Sequence, residues 1–163
     1  MLTPTQIQVH VARKAQAQQT TQHEYWEHLL LRRAPDEPVY PRLWQVVTGT
    51  IDDGETAVQT AFRELQEETG LHVEELWVLP YVGSFFDVGS NAFAMIPCFA
   101  AVVDAADAHV HLSTEHSDYL WLALEQATAQ LVMPSHIEGT RVFQTYVLGQ
   151  IDTAPFRRVR HSF

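Results

Sequence analysis

The first regular pattern along the chain is an alternation of apolar and polar residues near its start. Ile7, Val9 and Val11 alternate with Gln8 and His10, and this two-residue period predicts a β-strand over residues 7–12. Apolar runs of similar length predict further strands. They cover Tyr25–Arg33, Leu43–Val47, Leu76–Val82, Phe93–Val103 and Tyr119–Leu122.

A helical period follows the strand that ends at Val47. Over Thr56–Thr69 the apolar side chains recur at positions i, i+3, i+4 and i+7, as one packed face of a helix requires. They are Val58, Ala61, Phe62 and Leu65. Gly70 comes next, and because a left-handed residue often ends a helix, the pattern predicts the C-terminal cap there.

Two shorter patterns near the C-terminus predict helices over Leu124–Leu131 and Ile137–Leu148. Strands interleaved with helices are typical of a sheet covered by helices, in an α/β or α+β sandwich. The 163 residues fit one domain with a sizeable core.

Three segments lack either period. Polar residues 14–24 predict an exposed loop, and prolines at 35, 38 and 41 predict an irregular connection after the second strand. The basic tail, about residues 155–163, is expected to lie at the periphery of the domain.

The charge balance narrows the range of partners. The chain has 20 acidic residues and 10 lysines and arginines, which gives a formal net charge of −10. Duplex nucleic acid is bound through a basic face, so this composition argues against such a partner. A small polyanion that arrives with metal ions remains compatible with the acidic composition.

The single cysteine, Cys98, allows no intramolecular disulfide, which favours a reducing cytoplasm. The first residues lack the basic-then-apolar pattern of a secretory signal. The longest apolar stretch, Ala92–Val103, contains Pro97 and is shorter than the roughly 20 residues that cross a bilayer. We therefore expect a soluble, cytoplasmic protein without a membrane span.

Three glutamates on the predicted helix carry the strongest chemical signal. Glu64, Glu67 and Glu68 lie at i, i+3 and i+4, so their side chains converge on one patch beside the apolar face. Like charges at this spacing destabilise a helix, so a compensating partner is expected. Either the patch is a solvated acidic face, with Arg63 paired to Glu67, or it holds a hard cation such as Mg²⁺ or Mn²⁺.

The residues before the helix favour the cation. Gly49 allows the backbone to approach a ligand closely, and a predicted loop over Gly49–Glu55 brings Asp52 and Asp53 to the helix N-terminus. The free N–H groups there bind anions or are capped by acidic side chains. We interpret Glu55 as a structural residue of this kind.

Together these residues resemble the Nudix box, G-x5-E-x7-R-E-U-x-E-E-x-G-U, in which U is aliphatic. All the fixed positions match: Gly49, Glu55, Arg63, Glu64, Glu67, Glu68 and Gly70. Leu65 and Leu71 occupy the aliphatic positions. The resemblance implies an α/β/α sandwich with a mixed β-sheet between helices, and a hydrolase that cleaves a nucleoside diphosphate linked to another group.

The same resemblance implies roles for the residues of the box. The expected ligands of a divalent cation, Mg²⁺ or alternatively Mn²⁺, are the carbonyl of Gly49 and the carboxylates of Glu64, Glu67 and Glu68. Arg63 would orient a neighbouring carboxylate, and Glu55 would steady the geometry of the loop and helix.

The proton acceptor has no fixed position in the box. Bound cations neutralise phosphate oxygens and lower the pKa of water, and a carboxylate accepts the proton. Glu64, beside Arg63, is one candidate. Glu115 is a distant candidate, since it precedes a strand-like YLWL run; its alternative reading is an ordinary surface glutamate.

The segment STEHSDYLWL, residues 113–122, resembles a loop of the dihydroneopterin triphosphate diphosphatases within this family. That likeness implies that Glu115 is a further metal ligand and a candidate base. Similar likenesses of LLLRR and WQVVTG imply substrate contacts for Arg32 and Thr48. Only one of two consecutive strand residues faces a pocket, and we assign Arg32 to the phosphates and Arg33 to solvent.

A flat ring in the substrate needs an aromatic or apolar wall. Trp44, Phe85 and Phe86 are candidates, with the hydrophobic core as their alternative place. His136 is a candidate contact for a base or phosphate, or else a structural residue at the start of a helix. A zinc site is indicated only weakly by the spacing of His109, His111 and His116.

The resemblance implies an Mg²⁺-dependent pyrophosphohydrolase that converts a nucleoside or pterin triphosphate to the monophosphate and pyrophosphate. The alternatives are hydrolysis of a nucleoside diphosphate sugar such as ADP-ribose, hydrolysis of an oxidised nucleotide, and a non-catalytic nucleotide-binding module. Residues 81–95 match no motif, so the substrate stays open, as does the choice between monomer and homodimer.

Overall fold

Residues 3–15, 25–151 and 158–161 are described by the computed structural model of the chain. The strands are β1 (Gln6–Lys14), β2 (Trp26–Arg33), β3 (Trp44–Gln45), β4 (Val47–Thr50), β5 (Glu75–Asp87), β6 (Ala92–Val103), β7 (His116–Ala123) and β8 (Arg158–Arg160). The helices are α1 (Ala57–Thr69), α2 (Leu124–Gln130) and α3 (Pro134–Val142), the last continued by a π-helical turn over Phe143–Val147 and a 3₁₀ turn over Leu148–Gln150. None of the helices in these ranges has the length and apolar character needed to cross a membrane.

One mixed sheet forms the centre of the fold. Its strand order is β3-β2-β1-β6-β5-β8, with β4 paired to β1 and β7 paired to β2. β1 and β6 are parallel, and the other described pairs are antiparallel. β1 pairs with β4 along Gln6–Val9 and with β2 along Ala12–Lys14. The sheet therefore opens between β4 and β2.

Helices cover both faces of this sheet, which confirms the predicted sandwich. On one face α1 packs over Val9 and Phe99. On the other face the turns after α3 pack over Cys98 and Ala100, and α2 packs over Leu30.

The polar side of β1 is buried, although alternation alone does not indicate this. Gln8 is 2% exposed and His10 1% exposed. Gln8 Nε2 donates to Ser135 Oγ at 3.0 Å, and His10 Nδ1 lies 3.2 Å from Thr140 Oγ1, so both contact α3. Buried polar groups need such partners, and the polar residues of α3 supply them.

The helix α1 begins and ends where the sequence predicts. Thr56 is its N-cap and forms a capping box with Gln59. Gly70 caps the other end in the left-handed conformation, with φ of 69°, and its N–H donates to the carbonyl of Gln66.

Several element boundaries differ from the prediction. Thr48 and Gly49 pair with β1 and therefore belong to β4. The sequence predicts instead that the strand ends at Val47 and that a loop starts at Gly49. β5 and β6 are longer than predicted because they form one hairpin with its turn over residues 88–91. α3 begins at Pro134 rather than Ile137, since proline fits the first position of a helix.

The described part of the basic tail forms the short, largely exposed strand β8 at the edge of the sheet. β8 pairs with the start of β5, and Arg160 Nε donates to Glu75 at 2.9 Å. His161 packs edge-on against Phe62 of α1. The polar segment predicted as a loop over residues 14–24 lies largely outside the described residues.

Three buried histidines lie between the sheet and the layer of α3. His10 bonds to Thr140, and His28 Nε2 lies 2.9 Å from Gln144 Oε1. Burial lowers the pKa of His10, and it lowers the pKa of His28 and of His136 from 6.5 to about 4. The native packing therefore requires these imidazoles to be neutral.

We predict that acid weakens this packing. Below the unfolded pKa of 6.5 the unfolded chain protonates these histidines while the folded chain keeps them neutral, so the free energy of unfolding falls as pH is lowered. Each histidine contributes up to about 1.4 kcal/mol per pH unit between 6.5 and its folded pKa.

Urea denaturation from above pH 6.5 down to about pH 5 measures the effect. His28→Gln should reduce the pH slope, whereas His109→Gln, at an exposed position, should leave it unchanged. Glu68 has a raised pKa, so its titration changes the free energy of unfolding with pH in the opposite direction. The test is therefore the difference in pH slope between the wild type and each variant. Equal slopes in wild type and His28→Gln would contradict the prediction.

Candidate active site

A cavity of about 870 Å³ lies where the sheet opens between β4 and β2. β1, β4, α1, β5 and the start of α3 contribute to its walls. Its acidic residues are Asp52, Glu64, Glu68, Asp87 and Glu115. Its apolar wall includes Phe85, Phe86, Ile96 and Met133. The cavity therefore combines acidic groups with apolar and aromatic ones.

Arg63 fixes the loop before α1 to the helix. Its Nε and Nη2 donate to the two carboxylate oxygens of Glu55, both at 2.9 Å, and Nη2 also donates to the carbonyl of Thr50. This pairing lowers the pKa of Glu55 to about 2. Glu55 thus joins the loop to α1 through Arg63, and the helix cap is Thr56 rather than Glu55.

Arg63 also holds two glutamates of the box. Its Nη1 donates to Glu64 at 2.8 Å and to Glu67 at 3.1 Å. Glu64 lines the cavity, but Glu67 has a side chain that is 59% exposed and lies outside the cavity lining. The three box glutamates therefore do not share one environment.

Gly49 is required by space rather than by backbone conformation. A Cβ atom at this position would lie 2.1 Å from Glu64 Cγ and 2.6 Å from Glu64 Oε1. Glu64 thus passes directly over the backbone of β4, and a glycine is needed for that approach.

Glu68 is the most deeply buried carboxylate of the cavity, at 4% exposure. It accepts a hydrogen bond from the backbone N–H of Thr48, while its Oε2 has no hydrogen-bond partner among the described residues. Burial, and then the charges of Glu64 and Glu115, raise its pKa well above 4.5. His116 Nε2 lies 3.9 Å from Oε2, and burial lowers the pKa of that histidine to about 4, so it gives no positive charge at neutral pH.

Glu115 reaches the same cavity from the connection before β7. Its backbone carbonyl accepts from the N–H of Ala34 at 2.8 Å, which fixes this connection against the end of β2. Its charge raises the pKa of both Glu64 and Glu68. The fold thus brings Glu115 close to the two box glutamates that line the cavity.

These oxygen donors fit the chemistry of a hard divalent cation. Glu68 offers an unpartnered buried oxygen, the kind of atom that a cation would satisfy. Within residues 3–15, 25–151 and 158–161, no group of three His, Cys, Asp or Glu side chains is already arranged to hold a metal ion. Glu64 is turned to Arg63, so a cation would have to draw its carboxylate away.

The two arginines at the end of β2 are placed opposite to the expectation. Arg33 lines the cavity, and its charge acts on both Glu68 and His116. Arg32 is outside the lining, with Nη1 3.6 Å from Asp118 and its guanidinium carbon 5.9 Å from the Trp44 ring. Strand alternation predicts that one arginine faces the cavity, but it does not tell which one.

Of the other three expected substrate contacts, two line the cavity and one lies outside its lining. Thr48 and His136 line the cavity, and His136 is buried with Nδ1 lacking a partner in the described structure. Trp44 is outside the cavity lining and packs against the core beneath α2, which is the alternative place given for it above. Phe85 and Phe86 line the cavity, and they are 44% and 47% exposed.

Several cavity residues were not expected from the sequence. Gln45 Nε2 lies 3.2 Å from His116 Nε2 and 3.4 Å from Thr48 Oγ1, and it connects the two sides of the acidic end. Gln8 and Ser135 lie together at another wall. The polar alternation in β1 was the available signal for Gln8, but Ser135 lies in a segment with no pattern of its own.

Comparison with known proteins agrees with this architecture. The model of the family described as "NUDIX domain" matches residues 15–143. That range contains α1, the cavity-lining segments of β2, β4, β5 and β6, and Glu115 before β7.

Two curated relatives differ in their named substrates. A Rattus norvegicus bis(5'-nucleosyl)-tetraphosphatase (asymmetrical) is 35% identical over 98 residues, which are 60% of this chain and 66% of the relative, less than two thirds of its length. A Haemophilus influenzae dihydroneopterin triphosphate diphosphatase is 28% identical over 130 residues, which are 71% of this chain and 77% of the relative.

Solved structures share the fold over most of the chain. A C. elegans Ap4A hydrolase binary complex superposes with a TM-score of 0.69 and 25% identity, covering 88% of this chain and 97% of that one.

We predict that Gly49→Ala lowers the free energy of unfolding by about 1–3 kcal/mol, because the added methyl carbon overlaps Glu64 and must displace it or α1. Urea denaturation measures the loss. Gly89→Ala is the matched control, since its nearest contact, Asp87 Oδ1 at 3.4 Å, is an ordinary one. Unchanged stability in Gly49→Ala would mean that Glu64 turns aside without cost.

Proposed function

This chain belongs to the Nudix hydrolase family, and we propose that it hydrolyses a nucleoside or pterin triphosphate to the monophosphate and pyrophosphate with the help of Mg²⁺. The convergence of Glu64, Glu68 and Glu115 on one cavity with an apolar wall carries the proposal. A triphosphate attached to a flat ring has the matching division, with a charged chain at one end and an apolar face at the other.

Glu64, Glu68 and Glu115 would hold the cation, Mg²⁺ or alternatively Mn²⁺, with the Gly49 carbonyl beside them and Glu67 at the outer rim. When bound, such a cation neutralises phosphate oxygens and lowers the pKa of an attacking water. Every carboxylate in the cavity raises the local negative charge, so a polyanionic substrate depends on that neutralisation.

Glu115 is the candidate that best fits the role of general base. Glu64 is bonded to Arg63, and Glu68 is buried and accepts from the backbone N–H of Thr48, so both carboxylates are less accessible to an attacking water. Glu115 is exposed at the cavity and close enough to affect both other glutamates. A carboxylate in that position accepts a proton from a water that attacks phosphorus.

Arg33 is the proposed phosphate contact. Its guanidinium is held from behind, with Nη2 2.6 Å from Glu37 and Nε donating to the carbonyl of Val39. These bonds fix the group at the wall of the cavity, where it donates to phosphate oxygens.

A second candidate substrate is a dinucleoside tetraphosphate, because the rat relative and the C. elegans structure are named for that class. Products separate the two candidates. A triphosphate substrate gives pyrophosphate, whereas unequal cleavage of a four-phosphate chain gives a nucleoside monophosphate and a nucleoside triphosphate.

The proposal is tested with a panel of pterin, nucleoside, dinucleoside and sugar-linked phosphates in Mg²⁺, with products resolved by chromatography. We predict that Glu68→Gln lowers kcat on the order of 100-fold or more, because it removes a cation ligand, while the urea midpoint is kept or raised since a buried charge is lost. Glu125→Gln, on the exposed side of α2, is the control. Near-normal turnover in Glu68→Gln, or no turnover of any panel member by wild type, would overturn the proposal.

Arg33 and Arg32 offer a matched pair for the phosphate contact. We predict that Arg33→Ala raises KM for the triphosphate about tenfold or more, since a charge-assisted hydrogen bond is lost. Arg32→Ala removes an identical side chain outside the cavity lining and should change KM by less than about twofold. The reverse order of effects would return the contact to Arg32.

A further inference from the structure

Gln8 and Ser135 form a polar pair at the wall of the cavity. Gln8 is 2% exposed, and its Nε2 donates to Ser135 Oγ at 3.0 Å. Both residues line the cavity. The catalytic proposal assigns no role to the buried amide of Gln8.

Polar groups lie on both sides of the Gln8 amide. Cys98 Sγ donates to Gln8 Oε1 at 3.5 Å, and the backbone N–H of Gly83 bonds to Cys98. The oxygen of the amide is therefore directed to β6, and its nitrogen is directed to Ser135 at the start of α3.

Tight packing holds this pair in place. A Cβ atom at Gly83 would lie 3.1 Å from Ser135 Cβ and 3.5 Å from Gln8 Nε2, so β5 lies directly against both side chains. His136 adds a further polar group to the same wall, buried and with Nδ1 unpartnered in the described structure. The wall is preorganised rather than loose.

The hydrogens of this pair leave donors available to a ligand. Ser135 Oγ accepts from Gln8, so the Ser135 hydroxyl hydrogen is directed elsewhere, and the amide nitrogen of Gln8 carries a second hydrogen. Two neighbouring donors match a ring edge that carries two neighbouring acceptors. Guanine has such an edge at O6 and N7, whereas adenine has an amino donor beside N7.

The register of the sheet connects this wall to the acidic end. Gln8 of β1 pairs with Thr48 of β4, and the N–H of Thr48 bonds to Glu68. Neighbouring strands are about 4.8 Å apart, so a ring at Gln8 lies within reach of a phosphate chain at Glu68. Phe85, at the same cavity, supplies an aromatic side chain for the face of the ring.

We propose that Gln8 and Ser135 form a specificity subsite that selects oxo-substituted rings, a 6-oxopurine or a 4-oxopteridine, over 6-aminopurines. This proposal rests on the triphosphate hydrolysis proposed above and narrows its substrate class. Selection arises because an amino group facing two donors leaves buried hydrogen-bonding groups unpaired.

Two measurements test the subsite. Calorimetry gives the dissociation constants of GMP and AMP without metal, and steady-state kinetics with Mg²⁺ gives kcat/KM for GTP and ATP. We expect wild type to prefer the guanine ligand in both by about 10- to 100-fold. Ser135→Ala should lower that ratio about tenfold by removing one donor. Gln8→Glu replaces a donor by an acceptor of nearly the same shape and should abolish or invert the preference.

Gln130→Glu makes the same chemical change at the exposed end of α2 and should leave the ratio unchanged. Circular dichroism checks the fold of each variant, and if Gln8→Glu does not fold, Ser135→Ala alone decides. Equal affinity of wild type for GMP and AMP, or an unchanged ratio in Ser135→Ala, would overturn the subsite. GMP preference without hydrolysis of any triphosphate would instead overturn the catalytic proposal and support the subsite.

Discussion

The guanidinium of Arg63 is the interaction on which the acidic end of the molecule depends. It makes five hydrogen bonds: two to Glu55 and one each to Thr50, Glu64 and Glu67. Five is the full number of donors that an arginine side chain has. The Arg63 side chain thus ties the end of β4 and the following loop to α1. Its positive charge also offsets the repulsion between glutamates one helical turn apart.

The second constraint is the division of β1 between two partners. Because β4 pairs with the first half of one edge of β1 and β2 pairs with the second half, the sheet opens between Val9 and Ala12 of β1. α1 borders this opening on one face of the sheet, and α3 borders it on the other face. A single cavity therefore receives carboxylates from the first helix and neutral polar groups from the last, which gives it two chemically different ends.

Local patterns predicted the parts of this arrangement that are local. The α1 helix, its cap at Gly70 and the contiguous box follow from spacing within 23 residues of sequence, and the mixed sandwich followed from the resemblance that the box carries. Which of Arg32 and Arg33 faces the cavity was not predictable. Strand alternation places the two side chains on opposite faces of β2, but it does not say which face borders the cavity. The choice among Trp44, Phe85 and Phe86 for the cavity wall was open for a similar reason, since burial of an aromatic side chain depends on which helix covers that face.

The Arg63 network also separates the carboxylates into two kinds. Glu55 receives two hydrogen bonds and has a pKa of about 2, so it stays ionised and paired over the whole neutral range. Glu64 receives a single bond and has a raised pKa because of its burial. A cation at the proposed site would therefore compete with Arg63 for Glu64 before it competed for Glu55. Losing one bond of five would leave the loop attached to the helix, so the same arginine would support the scaffold while Glu64 is released to the cation.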